Sequence, residues 1–153
     1  MFPTAGGASL IGPSLGFLSR PCSIYVGGAA LVVPGANAQV IGDGATQRFR
    51  STAAVFQAQC SVNYNLGAAA AYAGGWWVEW VYDGATLSIR DSLGNAGGGV
   101  EALQAAAACG LFATNTSSQM SRYEHYWTLT YGRALTPTER LIPRAAMAAY
   151  LGL

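Results

Sequence analysis

Lysine is absent from this 153-residue sequence, and charge of either sign is scarce. Eight arginines stand against seven acidic residues and one histidine, so the formal net charge is +1 and charged residues make up 10% of the chain. This balance excludes the basic stripe that nucleic-acid binding requires. Soluble domains usually contain about 25% charged residues, so the low fraction indicates a protein that works in an assembled state.

Cysteine and histidine are also rare. The three cysteines, Cys22, Cys60 and Cys109, are widely spaced without a Cys-x-x-Cys pair, which argues against a zinc site or a disulfide framework. Buried free thiols are the expected state, with a single bridge as the alternative. His125 is the one histidine, and its context SRYEHYW lacks a nucleophile-elbow motif. Nucleotide-binding glycine patterns are missing as well. We therefore predict no enzymatic activity, no metal and no cofactor.

The first side-chain charge after the start of the sequence comes at Arg20. The preceding residues lack the basic region of an export signal, and Pro3 and Pro13 interrupt any helix that could span a membrane. We predict an extended arm over 1–20 and a single domain over 21–153, with a disordered tail as the alternative for the arm. The residues that we expect to dock on a neighbouring subunit are Phe2, Leu10, Ile11, Leu15, Phe17 and Arg20.

The dominant hydrophobic period along the chain is two, which is typical of β-strands. In AVFQAQCSVNY (54–64), apolar residues alternate with Gln, Ser and Asn, and this pattern predicts one half-buried strand. An alanine-rich segment is predicted to form a short helix over 100–109. The shorter predicted strands are 23–26, 30–33, 39–41, 47–51 and 110–113. Glycine, proline and asparagine clusters between several of them favour an all-β sandwich.

The segment WWVEWVYDGATLSIRD (76–91) predicts a β-hairpin around Asp83-Gly84. A two-residue loop would pair Trp80 with Leu87, and it places Trp80 on an apolar face in the core. On the opposite, more polar face it would pair Trp77 with Arg90, which makes Trp77 the candidate for an exposed aromatic contact. The predicted core consists of Val78, Trp80, Leu87, Ile89, Trp127 and Leu129.

The C-terminal part begins as an alternating strand over 126–131. It continues into Thr136-Pro137-Thr138-Glu139, which is a capping box with proline at the first helical position. Because Pro143 is unsuited to a helix interior, we predict one short turn followed by a second short helix over 143–151.

The element GRALTPTER resembles the "N-R-A-L-S-x-x-E" signature that closes concanavalin A-like and laminin-G-like jelly-roll domains, with Gly132 in place of asparagine. The terminal YLGL resembles the end of related domains in tailed-phage structural proteins, and the Tyr82-Asp83-Gly84 hairpin resembles the family's hairpin. The resemblance covers mainly 75–153. It implies an antiparallel β-sandwich of jelly-roll type. The acidic residue that the family often carries on its last strand is replaced by an EHYW context, so calcium binding is not expected.

Two functions follow from these features. The first is a virion protein that decorates or cements the capsid of a tailed phage, with the major capsid protein or other virion subunits as partners. It would form a homo-oligomer and bind neither nucleic acid nor a membrane. The alternative is a carbohydrate-binding module of a phage tail or receptor-binding apparatus, with Trp77 and Arg90 as glycan contacts. The glutamate triplet of the family's glucanases, E-x-D-x-x-E, is missing from the sequence.

Overall fold

A computed structural model describes residues 10–13, 20–32, 38–42, 48–52, 54–103, 108–111 and 122–153. Within these segments the chain forms eleven β-strands, a single 3₁₀ turn at Ala69–Tyr72 and one α-helix. The strands are β1 (Leu10–Pro13), β2 (Cys22–Val32), β3 (Ala38–Gly42), β4 (Arg48–Ser51), β5 (Val55–Gln59), β6 (Asn63–Ala68), β7 (Trp76–Tyr82), β8 (Thr86–Asp91), β9 (Ala96–Val100), β10 (Ala108–Leu111) and β11 (Arg122–Tyr131), and the helix is α1 (Leu141–Leu151).

The strands form two sheets in which the pairings are antiparallel. The six-stranded sheet has the order β1-β10-β3-β4-β5-β6, and the five-stranded sheet has the order β11-β2-β7-β8-β9. Sequential neighbours such as β3-β4-β5-β6 and β7-β8-β9 pair with each other, while β10 joins the six-stranded sheet after a crossover. This arrangement confirms the prediction of an all-β antiparallel sandwich with a short C-terminal helix.

Aromatic side chains from both sheets form the core between them. Phe49 of β4 meets Trp80 of β7 edge to face, with ring centroids 5.7 Å apart. Phe56 of β5 lies 5.7 Å from Trp76 by the same measure. All four side chains are buried, as period-two alternation requires of strands that face a second sheet. The core positions predicted for Val78, Trp80, Leu87 and Ile89 are therefore confirmed.

The β7–β8 hairpin is present, but its pairing register differs from the prediction by two residues. Trp80 lies opposite Ile89 and Tyr82 opposite Leu87, and the three residues 83–85 connect the two strands. The Asp83 carboxylate accepts hydrogen bonds from the amides of Ala85 and Thr86 at 2.9 and 2.7 Å, which stabilises this longer turn. A shift of two residues leaves each side chain on the same face, so the core assignment was unaffected.

The predicted single strand over 54–64 is wrong, because the segment folds back on itself. β5 and β6 form a hairpin in which Gln59 lies opposite Asn63. The amide of Cys60 donates to the carbonyl of Val62 at 2.9 Å and closes the turn. The helix predicted over 100–109 is not found in its described part, since β9 ends at Val100, 101–103 are not helical and β10 begins at Ala108, while 104–107 lie outside the described segments.

The helix α1 packs on the outer face of the five-stranded sheet and forms a second buried cluster there. Tyr25, Trp77, Leu135 and Met147 make up this cluster, against which Trp127 packs. The prediction that placed Trp127 and Leu129 in the core between the sheets is therefore wrong. Trp127 lies opposite Gly27 and Leu129 opposite Tyr25, on the outer face of their sheet, and Leu129 is 38% exposed.

A buried ion pair connects α1 to the sheet. Arg144 donates from Nε to Oε2 of Glu79 at 2.8 Å and from Nη2 to Oε1 at 2.7 Å. The Glu79 side chain is 0% exposed, and the hydrogen bonds to this carboxylate raise the pKa of Arg144. Burial and the same carboxylate raise the pKa of Tyr25. The helix is thus held to the sheet by charge as well as by apolar packing.

The predicted capping box is confirmed. The Thr136 amide donates to Oε2 of Glu139 at 2.8 Å, and the Glu139 amide donates to Oγ1 of Thr136 at 3.4 Å. It opens a turn over 137–140, after which α1 begins at Leu141. Pro143 lies in the first turn of α1. The backbone N–H groups of a first turn have no acceptor within the helix, so proline, which lacks an N–H, loses no hydrogen bond there.

Candidate functional site

The outer face of the six-stranded sheet carries two parallel rows of arginine and amide side chains. Alternation along β4, β5 and β6 sends Phe49, Phe56 and Leu66 into the core and directs the intervening residues outward. We call the outward set the amide face. It consists of Arg48, Gln59 and Asn63 in one row and Arg50, Gln57 and Asn65 in the other.

Hydrogen bonds run along these rows from the arginines towards β6. Nε of Arg50 donates to Oε1 of Gln57 at 2.6 Å, and Nε2 of Gln57 donates to Oδ1 of Asn65 at 2.9 Å. In the other row, Nε of Arg48 donates to Oε1 of Gln59 at 2.7 Å. A guanidinium has no acceptor atom, so each glutamine must turn its oxygen towards its arginine. The side chains are therefore held in fixed orientations.

The edge strand β6 carries the most accessible residues of the amide face. Arg48 and Gln57 are buried, with 7% and 5% of their surface exposed. Arg50 and Gln59 are partly buried, whereas Asn63 and Asn65 are exposed. A ligand would therefore approach the face from the β5–β6 side, where polar side chains are exposed to solvent and lie next to buried, hydrogen-bonded side chains.

Arg50 carries a charge that no nearby carboxylate offsets within the described residues. The three ion pairs found there involve Arg133, Arg140 and Arg144. Partial burial lowers the pKa of Arg50 from its ordinary value, because desolvation disfavours the charged form. A guanidinium cannot lose its proton at neutral pH, so Arg50 stays cationic on the sheet surface.

A second polar cluster surrounds Glu101, which follows β9. Its carboxylate accepts from the Ser61 hydroxyl at 2.5 Å and from the Tyr64 phenol at 2.7 Å, and its side chain is buried. The hydrogen bond to Glu101, together with burial, raises the pKa of Tyr64 to about 12. The cluster connects β6 to the end of β9, because Tyr64 lies in β6 and Glu101 follows Val100.

A third cluster organises the β8–β9 turn. The phenol of Tyr72 donates to Asp91, and Oδ1 of Asp91 accepts from the amides of Leu93 and Asn95 at 2.9 and 2.8 Å. Asn95 adds a side-chain bond to the same carboxylate at 2.8 Å. The carboxylate is thus used within its own turn, and we assign it a structural role.

The glycan contacts predicted from the sequence are not brought together. Trp77 is 7% exposed and packs beneath α1 with Met147, so its interpretation as an exposed contact is wrong. Arg90 is exposed on β8, where it lies opposite Glu79 and not opposite Trp77. The sequence could not show that a helix 65 residues further along covers this face of the sheet.

The predicted interface residues are partly described. Leu10 and Ile11 lie in β1, which pairs with β10 of the same chain, and Arg20 is exposed. Their contact with a neighbouring subunit remains a prediction. Three further residues lie outside the described segments, namely Phe2, Leu15 and Phe17.

Histidine and cysteine side chains do not form a reactive centre in the described segments. His125 lies at a bulge in β11, where its Nε2 is 2.9 Å from Oγ1 of Thr128, and burial lowers its pKa. Cys22 and Cys60 are buried, and burial raises the pKa of Cys22 to about 12. Across the part of the chain that can be described, no cluster of three or more His, Cys, Asp or Glu side chains could hold a metal ion.

Among the described residues, no helix combines the length and the apolar character that crossing a bilayer requires.

Comparison with known proteins places the chain by its fold. No protein-family model matches it, and no curated protein matches it significantly. A Trypanosoma rangeli sialidase in complex with the inhibitor DANA superposes with a TM-score of 0.68 at 11% identity, covering 88% of this chain and 25% of the sialidase. A structure described as a receptor binding domain gives a TM-score of 0.60 at 10% identity, covering 94% and 41%. A toad ovary galectin in complex with thio-digalactose gives 0.47 at 11% identity, covering 82% and 100%.

These likenesses define the class of fold. The chain spans a quarter of the sialidase, 25%, and less than half of the receptor-binding structure, 41%. At 10–11% identity, the two stronger matches show a shared β-sandwich architecture. They do not assign an activity, since one fold supports many functions.

Sequence reasoning missed Arg48 and Arg50 as site residues, although it had recognised the polar alternation at Gln57 and Gln59. The signal was present in the triplet Arg48-Phe49-Arg50, in which two arginines flank one core residue. The triplet alone could not identify a site, because the alignment of each arginine with a glutamine comes from the pairing of β4 with β5.

Proposed function

We propose that this protein is a carbohydrate-binding module that holds a saccharide on the amide face. The observation that carries the proposal is the hydrogen-bonded row from Arg50 through Gln57 to Asn65. Planar amide and guanidinium groups are suited to the hydroxyl and carbonyl oxygens of a sugar, because each offers several donors in one plane. The exposed end of the row gives a ligand access to these groups.

Preorganisation supports this assignment. The side chains of the amide face are oriented by their neighbours before any ligand arrives, so binding would cost little further side-chain entropy. Buried Gln57 has both ends of its amide bonded, and it fixes the positions of the more exposed Arg50 and Asn65. Sites built on strands in this way are more rigid than sites on loops.

The comparisons agree with the proposal at the level of fold. One matching structure is described as a receptor binding domain. Another is a sialidase bound to an inhibitor, and the part of it that corresponds to this chain shares the β-sandwich architecture. The proposal itself is based on the residues of the amide face.

The test is glycan binding by the intact chain and by matched surface variants. We expect the protein to bind glycans on an array, and Asn65→Ala and Gln59→Ala each to weaken binding of the best glycan about tenfold, which corresponds to one lost hydrogen bond. The control is Arg90→Ala, which removes an exposed arginine from the other sheet and should leave affinity unchanged.

Two outcomes would contradict the proposal. If the chain binds no glycan, the function is wrong. If Arg90→Ala abolishes binding while the β5–β6 variants retain it, the site lies on the five-stranded sheet, as the sequence first suggested. The virion decoration role and the virion location remain predictions from composition and sequence resemblance.

A further inference from the structure

We infer that the amide face recognises an acidic saccharide, whose carboxylate or sulfate group is held by Arg50. This inference rests on the proposed glycan-binding function and specifies its ligand. It follows from two properties of the face, namely the direction of its hydrogen bonds and the charge on Arg50.

The direction of the hydrogen bonds leaves donors at the accessible positions. Because Gln57 turns its oxygen to Arg50, its amide nitrogen faces Asn65, whose oxygen accepts it. The Asn65 Nδ2 group then points away from the row. Gln59 likewise turns its oxygen to Arg48, which leaves its own Nε2 group for a ligand. Nη1 and Nη2 of Arg50 make no hydrogen bond within the described segments.

A surface that presents N–H groups selects for ligands rich in acceptors. A neutral sugar hydroxyl can accept from these donors, but it also carries a hydrogen that needs an acceptor of its own. A carboxylate or sulfate carries acceptors alone, and it binds a guanidinium through two parallel hydrogen bonds. The terminal nitrogens of Arg50 offer this geometry, since its Nε is already used by Gln57.

The charge on Arg50 lacks compensation from the acidic residues that the structure describes. The sequence has seven acidic residues, and all except Asp43 lie in described segments. Each of those six bonds to a group away from Arg50. They are Glu79, Asp83, Asp91, Glu101, Glu124 and Glu139. A partly buried cation has already lost part of its hydration on folding. When no carboxylate is paired with it, it therefore gains more from binding an anionic ligand than a fully hydrated cation does.

The dimensions of the face suit a saccharide more than a free small anion. Arg50 on β4 and Asn65 on β6 are separated by two strand spacings, or about 10 Å. An acidic group at Arg50 would leave the rest of the ligand to lie across β5 towards the exposed Asn65. The acidic group gives selectivity, and the neutral part contacts the outer donors.

The experiment uses the full chain and an array that carries each neutral glycan beside its sulfated and its sialylated or uronylated counterpart. We expect at least one acidic form to bind about tenfold more tightly than its neutral counterpart. Arg50→Gln should remove this preference and leave weak neutral binding, and Arg50→Lys should retain part of it. The control Arg90→Gln should keep the full preference. The sulfated and carboxylated arms identify which anion is preferred.

The wild-type protein provides a second measurement that does not depend on how a variant folds. Raising the salt concentration should weaken acidic binding and leave neutral binding nearly unchanged, because exposed charges are screened. Equal binding of acidic and neutral glycans, or a preference that survives Arg50→Gln, would overturn the inference while leaving the glycan-binding function intact. Absence of any glycan binding would overturn both.

Discussion

Replacing Arg144 with Ala should destabilise the fold by about 3 kcal/mol, because it leaves the buried carboxylate of Glu79 without its main partner. Breaking a buried ion pair by removing one partner costs about 3–5 kcal/mol. The low end applies for two reasons. The Arg144 side chain is 22% exposed, so water can partly replace it, and Nη1 of Arg140 remains 3.9 Å from the same carboxylate.

Urea denaturation followed by tryptophan fluorescence would measure this effect. With a slope of about 2 kcal/mol per molar urea, the expected loss lowers the midpoint by about 1.5 M. The matched control is Arg133→Ala. Arg133 also forms two hydrogen bonds with one carboxylate, at 2.8 and 2.6 Å to Glu139, but its side chain is 58% exposed. Its replacement should shift the midpoint far less, since exposed ion pairs contribute little.

A double replacement separates two effects of Arg144→Ala, namely the unpaired buried charge on Glu79 and the lost packing of the arginine side chain. Arg144→Met combined with Glu79→Gln removes both charges and keeps similar side-chain volumes. This variant should recover most of the stability that Arg144→Ala loses, because an uncharged pair has no unpaired buried ion. Equal midpoints for Arg144→Ala and Arg133→Ala would refute the conclusion that the buried pair holds α1 to the sheet.

Three further predictions concern the core, a close contact and pH. Trp80→Ala should cost about 3–5 kcal/mol in urea unfolding, whereas Val100→Ala, at a site 87% exposed, should change it by less than about 0.5 kcal/mol. Gly27→Ala should lower thermal stability, because an added Cβ would clash with the indole ring of Trp127; an unchanged melting temperature would contradict this contact. A hydrogen bond from Arg133 lowers the pKa of Glu139 from 4.5 to about 2, so its stabilisation should be complete above about pH 5 and lost towards pH 2. Glu139→Gln should therefore flatten the stability profile in that range, and identical profiles would count against it.

Local sequence patterns predicted those features that depend on neighbours in the chain. Strand alternation assigned Trp80 and Leu87 to one face, and this held even though the register differed by two residues, because side-chain direction repeats every two residues. The capping box at Thr136 formed as predicted, since its two hydrogen bonds span three residues. These features needed no knowledge of the partner sheet.

The sequence by itself thus determined the all-β class, the core faces of the hairpin and the start of the C-terminal helical turn. The tertiary structure alone decided that Trp77 is buried, because the helix that covers it comes from a distant part of the chain. It also decided that Arg50 aligns with Gln57 and Asn65, since alternation fixes which face a residue occupies but not which strand lies beside it. The candidate site is therefore a property of strand pairing, which depends on long-range contacts that no local pattern encodes.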